Sequence, residues 1–332
     1  MATLGATYVD LIDVYKQQDG MGNFVPVIEI LNEMNPILED AIAVECNKGT
    51  THLHTVRAGL PSVSWGKLYK GIPNSKGRTT QVEDTTGFVE GLSTVDCRLL
   101  ELAGDRGALR LSEAMGYLES MNQEVSEKIF YGNTATDPEE FMGLAPRFND
   151  TTAANGGQII DAGGTGSDNT SIWFLGWGDG QCQLLYPKGT AAGIQREDMG
   201  KQRVLDDDGN AYYAEEEKFT WNVGLAVKDW RYVSRIANID VSNAKAGSVK
   251  LYDFMRKAYY RLQSRRIAGG SLAIYMNRDM LEVLDALATN AGTTDNFVRL
   301  KPMEIEGKEV MTYRGIPIRE TDALLNNESQ VS

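Results

Sequence analysis

Cysteine and histidine are both scarce in this chain of 332 residues, with three cysteines (Cys46, Cys97, Cys182) and two histidines (His52, His54). Three scattered cysteines are too few for a disulfide framework and lack the paired spacing of a zinc motif, so the sequence favours a reducing compartment. The histidines lie two residues apart on a predicted strand and face the same side, as two metal ligands would. Only Cys46 stands near them as a third ligand. The sequence therefore favours exposed strand histidines over a metal site.

Long apolar runs are absent as well. No stretch of about 18 apolar residues occurs, so no membrane-spanning helix is expected. Asp10 and Asp13 interrupt the apolar stretch Leu4–Val14, and the first cation after Met1 is Lys16, so no signal peptide is predicted. The sequence thus predicts a protein without a membrane partner that is made in a cytoplasm.

Positive charge is in short supply. Lysine and arginine number 33 against 46 acidic residues, which gives a formal net charge of -13. A protein whose main task is to grip a phosphate backbone needs a cationic surface, so this balance argues against that class. An acidic surface would still suit a protein that lies near nucleic acid without adhering to it.

Recognisable catalytic and cofactor motifs are missing too. The acidic run that starts at Val204 imitates a calcium loop, but with Gly209 at the sixth position the first ligand position falls on Val204, which has no side-chain oxygen. A solvated hairpin with its turn at Asp208-Gly209 is therefore favoured over a calcium site. Gly164-Thr165-Gly166 lacks the third glycine of a dinucleotide fingerprint and precedes a strand instead of following one. No phosphate-loop motif occurs. The sequence predicts no catalytic residue, no cofactor and no metal, and hence a protein that is not an enzyme.

The most regular feature that is present is a long helix over Asp105–Asn133. Leu111, Met115, Leu118, Val125 and Ile129 recur at helical spacing and predict its buried stripe. Asp105 is the expected N-cap, and Gly132-Asn133 is the expected C-terminal stop. Such a rod would form the backbone of a subunit.

Two extensions precede this helix. Residues 1–45 predict an arm of three short helices, around Tyr8–Tyr15, over Val27–Met34 and over Ile37–Val44. Residues 46–104 alternate as two strands of about 20 residues each, joined by the glycine-rich turn material of Gly66–Arg78, and so predict a long hairpin. Six cations and no carboxylate lie between Cys46 and Val82. A two-stranded ribbon is marginally stable alone, and a basic one needs an acidic surface. The simplest such surface is another copy of this chain.

The remainder reads as an α+β body. Strands are predicted at Phe219–Val227, Arg231–Ile239 and Leu272–Met276, with a final strand over Val310–Ile318. Helices are predicted over Ser248–Ile267 and Arg278–Ala288. The first of these helices is basic, and a subunit interface or a solvated face is favoured for it over nucleic-acid contact.

Several segments, taken together, match a known family. They are Thr55–Trp65, Arg110–Glu113, Phe130–Asn133, Gly143–Phe148, Tyr186–Gly189, Asp229–Tyr232, Arg235–Asp240, Tyr275–Arg278 and Gly315–Ile318. In this order and over nearly the whole chain, the sequence resembles the major capsid proteins of short-tailed bacteriophages. Each motif is weak by itself, and the specificity lies in the set.

This resemblance implies the Hong Kong 97-type capsid fold. In these terms residues 1–45 are the N-terminal arm, 46–104 the extended hairpin loop, 105–240 the peripheral domain with inserted loops, and 241–332 mainly the axial domain with a C-terminal strand. The spine helix would be 105–131, and the peripheral strands would lie within 219–239. Because these strands precede the axial pieces here, the resemblance also suggests a rearranged connectivity of the fold, which we state as a hypothesis.

The resemblance further implies a protein that assembles with copies of itself, through hexamers and pentamers, into an icosahedral shell around phage double-stranded DNA. A decoration or cement protein, a scaffold and a portal are the further partners that such a shell implies, and the virion is its location. The alternative is an encapsulin-like nanocompartment shell of the same fold. The residues expected at contacts between subunits are those of the basic hairpin tip: Trp65, Lys67, Lys70, Lys76 and Arg78.

Overall fold

The computed structural model describes residues 33, 35–102, 105–206, 208–289, 300–305 and 308–332. The helices predicted around Tyr8–Tyr15 and, apart from one residue, Val27–Met34 lie outside this part of the chain. The described helices are α1 (Ile37–Asp40), α2 (Cys97–Leu102), α3 (Arg106–Tyr131), α4 (Leu144–Arg147), α5 (Val241–Lys245), α6 (Leu251–Arg261) and α7 (Arg278–Thr289). The strands are β1 (Ala43–Glu45), β2 (Thr51–Gly59), β3 (Arg78–Asp96), β4 (Ile159–Asp161), β5 (Asn169–Trp177), β6 (Cys182–Tyr186), β7 (Ile194–Leu205), β8 (Ala211–Val227), β9 (Val233–Asp240), β10 (Ser271–Met276), β11 (Lys301–Ile305), β12 (Lys308–Tyr313) and β13 (Ile316–Glu320).

The long helix α3 forms where the sequence predicts it. The Asp105 side chain accepts a hydrogen bond from the Ala108 N–H, and the Gly132 N–H donates to the Lys128 carbonyl, so both predicted caps are confirmed. The predicted stripe is wrong in the first half of the helix, where Leu111 is 61% exposed and Met115 is 47% exposed.

The helix packs on the sheet through a different set of side chains in that half. Leu109 joins a cluster with Val95, Leu99 and Leu100, while Ala114 and Met121 meet Phe219. The short side chain of Ala114 lets the helix pack closely against Phe219 on β8. The fit to the neighbouring elements, and not the number of large apolar residues, therefore determines which face of the helix is buried.

A mixed sheet runs through the molecule in the order β11-β12-β13-β10-β5-β6-β8-β3-β2, and the remaining described strands pair beside this path. Strand β5 is buried along its whole length. Trp173 and Leu175 lie in the apolar cluster that includes the end of α3, whereas Ile172 and Phe174 lie in the cluster with α6 and α7. Because side chains alternate along a strand, β5 supplies two cores on its two faces.

The hairpin is present but unequal. Strand β2 pairs with β3 from Thr51↔Thr85 to Gly59↔Arg78, and β3 then continues and pairs with β8 from Thr86↔Gly224 to Asp96↔Ala214. The prediction of two strands of about 20 residues is therefore right for β3 and wrong for β2. Gly66, Gly71 and Pro73 follow in the tip, where glycine and proline disfavour further strand pairing.

Three other boundaries differ from the sequence prediction. Only Ile37–Asp40 of the helix predicted over Ile37–Val44 is helical, because Ala43–Glu45 pairs in parallel with β6. The helix predicted over Ser248–Ile267 is confined to Leu251–Arg261. The predicted final strand is two strands, which turn at Arg314 and Gly315, both with positive φ.

Candidate assembly surface

The hairpin tip, residues 60–77, stands fully exposed in the single chain. Its large apolar side chains are 81–104% exposed: Leu60, Val63, Trp65, Leu68, Tyr69 and Ile72. Monomeric proteins rarely present so many large apolar side chains together, and such patches mark interaction sites. The structure thus places Trp65, Lys67, Lys70 and Lys76 within one exposed segment, with Arg78 as the first residue of β3.

The charge of the tip is also uncompensated. Of the six cations between Cys46 and Val82, Lys48 pairs with Glu83 at 3.0 Å. The other five make no salt bridge with any described residue. A surface that is both apolar and cationic is suited to a partner with apolar surface and carboxylates.

The root of the hairpin is a buried polar cluster that sequence reasoning missed. The Asp84 carboxylate accepts a salt bridge from Arg147 at 2.8 Å and lies 3.7 Å from the His54 Nδ1 atom, which is too long for a hydrogen bond. His52 is 7% exposed and the His54 side chain 10% exposed, so the expectation of exposed histidines is wrong. The strand register places His52 opposite Asp84. The salt bridge from Asp84 to Arg147 attaches the base of the hairpin to the rest of the subunit.

Burial governs the protonation of these histidines. It lowers the pKa of His52, with Lys228 as a further cause, and it also lowers the pKa of His54 against the opposing effect of Asp84. Both His54 ring nitrogens, the His52 Nδ1 atom and one Asp84 oxygen have no hydrogen-bond partner among the described residues. The cluster is thus arranged for neutral histidines. The signal that could have indicated it is Asp84, a carboxylate that the hairpin register places opposite His52.

A second buried ion pair fixes the C-terminal segment to the body. Arg235 and Glu328 are 2.8 Å apart, with side chains 3% and 4% exposed. Arg235 also donates to the Phe148 carbonyl at 2.8 Å, and Glu328 accepts from the Tyr131 hydroxyl at the end of α3. Burial and the Glu328 carboxylate raise the Tyr131 pKa. The sequence contains no local signal for this pairing, because its members lie far apart in the chain.

Three carboxylates of the acidic run 196–217 pair with arginines of the same chain. Arg110 on α3 contacts Asp198 at 3.1 Å and Glu215 at 3.3 Å, and it also contacts Glu217. Glu217 is 3% exposed. The interpretation of this run as a solvated hairpin therefore holds for its turn at Asp208-Gly209 but not for the carboxylates that hold β7 and β8 to α3.

Among the described residues, no three His, Cys, Asp or Glu side chains are grouped so that they could hold a metal ion, and no helix is long and apolar enough to cross a membrane. The three cysteines are buried free thiols.

Solved structures of phage capsids are similar in fold to this chain. The chain is similar to one in the bacteriophage JBD30 capsid, with a TM-score of 0.53 and 9% identity over 92% of this chain and 93% of that one. A similarity at 9% identity shows the fold and nothing further. This fold is the Hong Kong 97-type fold of phage capsid proteins.

Closer similarity comes from the near-atomic structure of bacteriophage epsilon15, with 36% identity, a TM-score of 0.79 and coverage of 100% of this chain and 99% of that one. The model of the family described as major capsid protein GP7 matches residues 19–332, and the chain belongs to this family. It is a structural protein of a phage virion, and copies of it assemble through hexamers and pentamers into an icosahedral shell.

The nanocompartment alternative is less favoured. The SrpI encapsulin of Synechococcus elongatus PCC 7942 is similar at 11% identity over 70% of this chain and 96% of that one, with a TM-score of 0.45, too low to carry an argument. A comparison with curated proteins gives no match.

Proposed function

We propose that the exposed hairpin tip is the part of this capsid protein that joins one copy to the next, through Trp65, Lys67, Lys70, Lys76 and Arg78. The observation that carries this proposal is the near-complete exposure of apolar side chains in a segment with unpaired cations, such as Trp65 at 96%. A neighbouring copy supplies the apolar surface and the carboxylates that the single chain does not provide. Contacts of this kind, repeated by rotation, close into rings.

The experiment is reversal of charge in the tip. Lys67→Glu, Lys70→Glu and Arg78→Glu together change a cationic surface into an anionic one, which should repel the carboxylates of the adjacent copy. We expect circular dichroism and the urea midpoint of the dispersed subunit to stay unchanged, while electron microscopy and sedimentation show fewer shells. The matched control keeps the charge at the same positions, with Lys67→Arg, Lys70→Arg and Arg78→Lys, and should leave assembly intact. Normal assembly of the tip variant would refute the proposal.

We also propose that the shell encloses phage double-stranded DNA by proximity and without sequence specificity. The net charge of -13 supports this form of contact, since an acidic protein does not bind a phosphate backbone tightly. Nuclease-resistant DNA of genome length inside purified particles is the expected result. Particles that contain protein cargo and no DNA would instead favour the nanocompartment.

Further proposals concern partners and organisation. A decoration or cement protein, a scaffold and a portal are proposed as partners, with synthesis in the cytoplasm of a bacterial host and no catalytic role. The division into arm (1–45), hairpin loop (46–104), peripheral domain (105–240) and mainly axial domain (241–332) stays a proposal. The end of helix α3 lies in one apolar cluster and helices α5 to α7 in another, whereas strands β5 and β10 contribute to both clusters. The rearranged connectivity stays a hypothesis, and superposition on the founding member of the fold would test it.

A further inference from the structure

A groove of about 340 Å³ lies between strand β3 and the C-terminal half of helix α3. Its floor is apolar, with Val125 and Phe141 almost fully buried and Val89 and Val223 beside them. Phe88, which is 64% exposed, stands at its edge. The volume is sufficient for one or two large side chains and falls within the range of pockets that bind ligands.

Carboxylates form the rim of this groove. Four of them line it, Glu90, Glu124, Glu139 and Glu140, against the single cation Lys128. Lys128 contacts Glu140 at 2.5 Å and Glu124 at 3.7 Å, and Glu90 pairs with a lysine outside the groove. Glu139 is exposed and makes no salt bridge with any described residue. The groove therefore combines an apolar floor with a negative rim.

The backbone fixes the shape of the groove. At Gly87 an added Cβ atom would lie 2.8 Å from the Glu139 carbonyl oxygen, so the strand and the loop that carries Glu139 are in close contact. The Gly143 N–H donates to the Gly132 carbonyl at 2.8 Å and holds this loop to the end of α3. These contacts form the groove in the single chain, and a preformed site lowers the cost of binding.

The groove is also accessible from the side. Beyond residue 85, strand β3 pairs only with β8 among the described strands, because the pairing with β2 ends at Thr51↔Thr85. A neighbouring molecule can therefore approach along this edge.

One segment of the hairpin tip has the complementary pattern. The Lys70 N–H donates to the Lys67 carbonyl at 3.2 Å, which closes a turn with Leu68 and Tyr69 at its corner. Leu68 is 91% exposed and Tyr69 104% exposed, and Tyr69 has a φ of 61°. The turn thus presents two apolar side chains between two cations. In the single chain it lies apart from the groove, since the side chains at its corner are fully exposed and none of its residues lines the groove.

We propose that the Lys67–Lys70 turn of one copy enters this groove of a second copy, with Leu68 and Tyr69 on the apolar floor and the two lysines against the carboxylates of the rim. The proposal rests on the proposed function, that the tip joins copies, and it adds the surface that receives the tip. Tyrosine is a common anchor at interface centres, and the carboxylates give the contact its orientation.

Cysteine pairing tests the contact directly. Leu68→Cys and Phe88→Cys in the same chain should give, on oxidation of assembled shells, a ladder of covalent multimers on a denaturing gel without reductant. A mixture of the two single variants should give dimers only, because each copy then offers one cysteine. The native thiols are buried and do not contribute. Leu68→Cys with Met199→Cys, an exposed position on β7, is the control pair and should stay monomeric.

Charge exchange tests the energetics. Glu124→Lys with Glu139→Lys should raise the protein concentration needed for assembly by about tenfold, which corresponds to about 1.4 kcal/mol. Adding Lys67→Glu and Lys70→Glu to that variant should restore assembly, since the attraction is then reversed in sign but kept. Restored assembly together with the cysteine ladder is the result expected.

The role of the tip and the role of the groove are tested separately. If the tip reversal weakens assembly, but the groove reversal has no effect and no ladder forms, the groove is overturned and the proposed function of the tip stands. If the tip reversal has no effect on assembly, both are overturned.

Discussion

His52 and His54 are the residues through which pH should act on this subunit. Folding lowers the pKa of both, mainly through burial, while Asp84 opposes the shift at His54 and Arg147 and Lys228 reinforce it. The unfolded chain therefore binds more protons than the folded one below the ordinary histidine pKa of about 6.5. The stabilisation is complete above that value and is lost as the pH falls toward the lowered values of the folded state.

We expect the urea midpoint of the dispersed subunit to decrease as the pH is lowered from 7.5 to 5.5. Hydrogen exchange should accelerate first over residues 51–58. His52→Gln with His54→Gln should flatten this dependence, because glutamine does not titrate in this range. An unchanged pH slope in the double variant would assign the effect to other groups.

The buried ion pair of Arg235 and Glu328 is a second residue-level contribution to the stability of the subunit. Removing one partner of a buried pair leaves an uncompensated charge, so Arg235→Ala or Glu328→Ala should each cost about 3–5 kcal/mol in the free energy of unfolding. The exposed pair of Arg231 and Asp229, also at 2.8 Å, is the matched control. Its disruption by Arg231→Ala should cost less than about 1 kcal/mol. Equal losses at the two pairs, measured by urea unfolding, would contradict this account.

At the scale of the element, helix α3 shows how packing chooses a face. Both Leu109 and Leu111 are leucines of its first turns, but Leu109 is fully buried and Leu111 is 61% exposed. The periodicity of large apolar residues favours Leu111, whereas contact with α2 and β3 favours Leu109. Sequence periodicity alone does not separate the two.

Two leucine substitutions measure this difference. Leu109→Ala removes a buried side chain and leaves a cavity, so it should lower the free energy of unfolding by about 2–5 kcal/mol. Leu111→Ala should change it by less than about 0.5 kcal/mol, as for other exposed positions. A larger loss at Leu111 than at Leu109 in the dispersed subunit would restore the stripe predicted from periodicity.

At the scale of the whole molecule, the hairpin tip is a part of the chain that can be removed. Gly59 and Arg78 are paired across its two strands, so the chain can be closed there by a short turn. Replacing residues 60–77 with Asn-Gly, the preferred two-residue hairpin turn, removes the exposed tip without disturbing the body.

We expect this shortened subunit to keep its urea midpoint, because the apolar side chains it loses are almost fully exposed in the single chain. It should fail to form shells in sedimentation and electron microscopy, because the contact between copies is lost. Intact shells from the shortened chain would show that the tip is dispensable for assembly.

The sequence alone determined the features that depend on local order along the chain. Helix α3 with its caps at Asp105 and Gly132, the turn at Asp208-Gly209 and the exposed basic tip follow from spacing, capping chemistry and glycine content, which act between near neighbours. The resemblance to phage capsid proteins was also carried by short segments in their order, and the family match over residues 19–332 confirms it.

The tertiary structure decided which distant residues meet. The burial of His52, the pair Arg235–Glu328 and the carboxylate-rimmed groove at Gly87 each depend on segments far apart in the chain. No local propensity specifies such contacts, because their free energy comes from burial and charge pairing that exist only once the sheet and α3 have packed together.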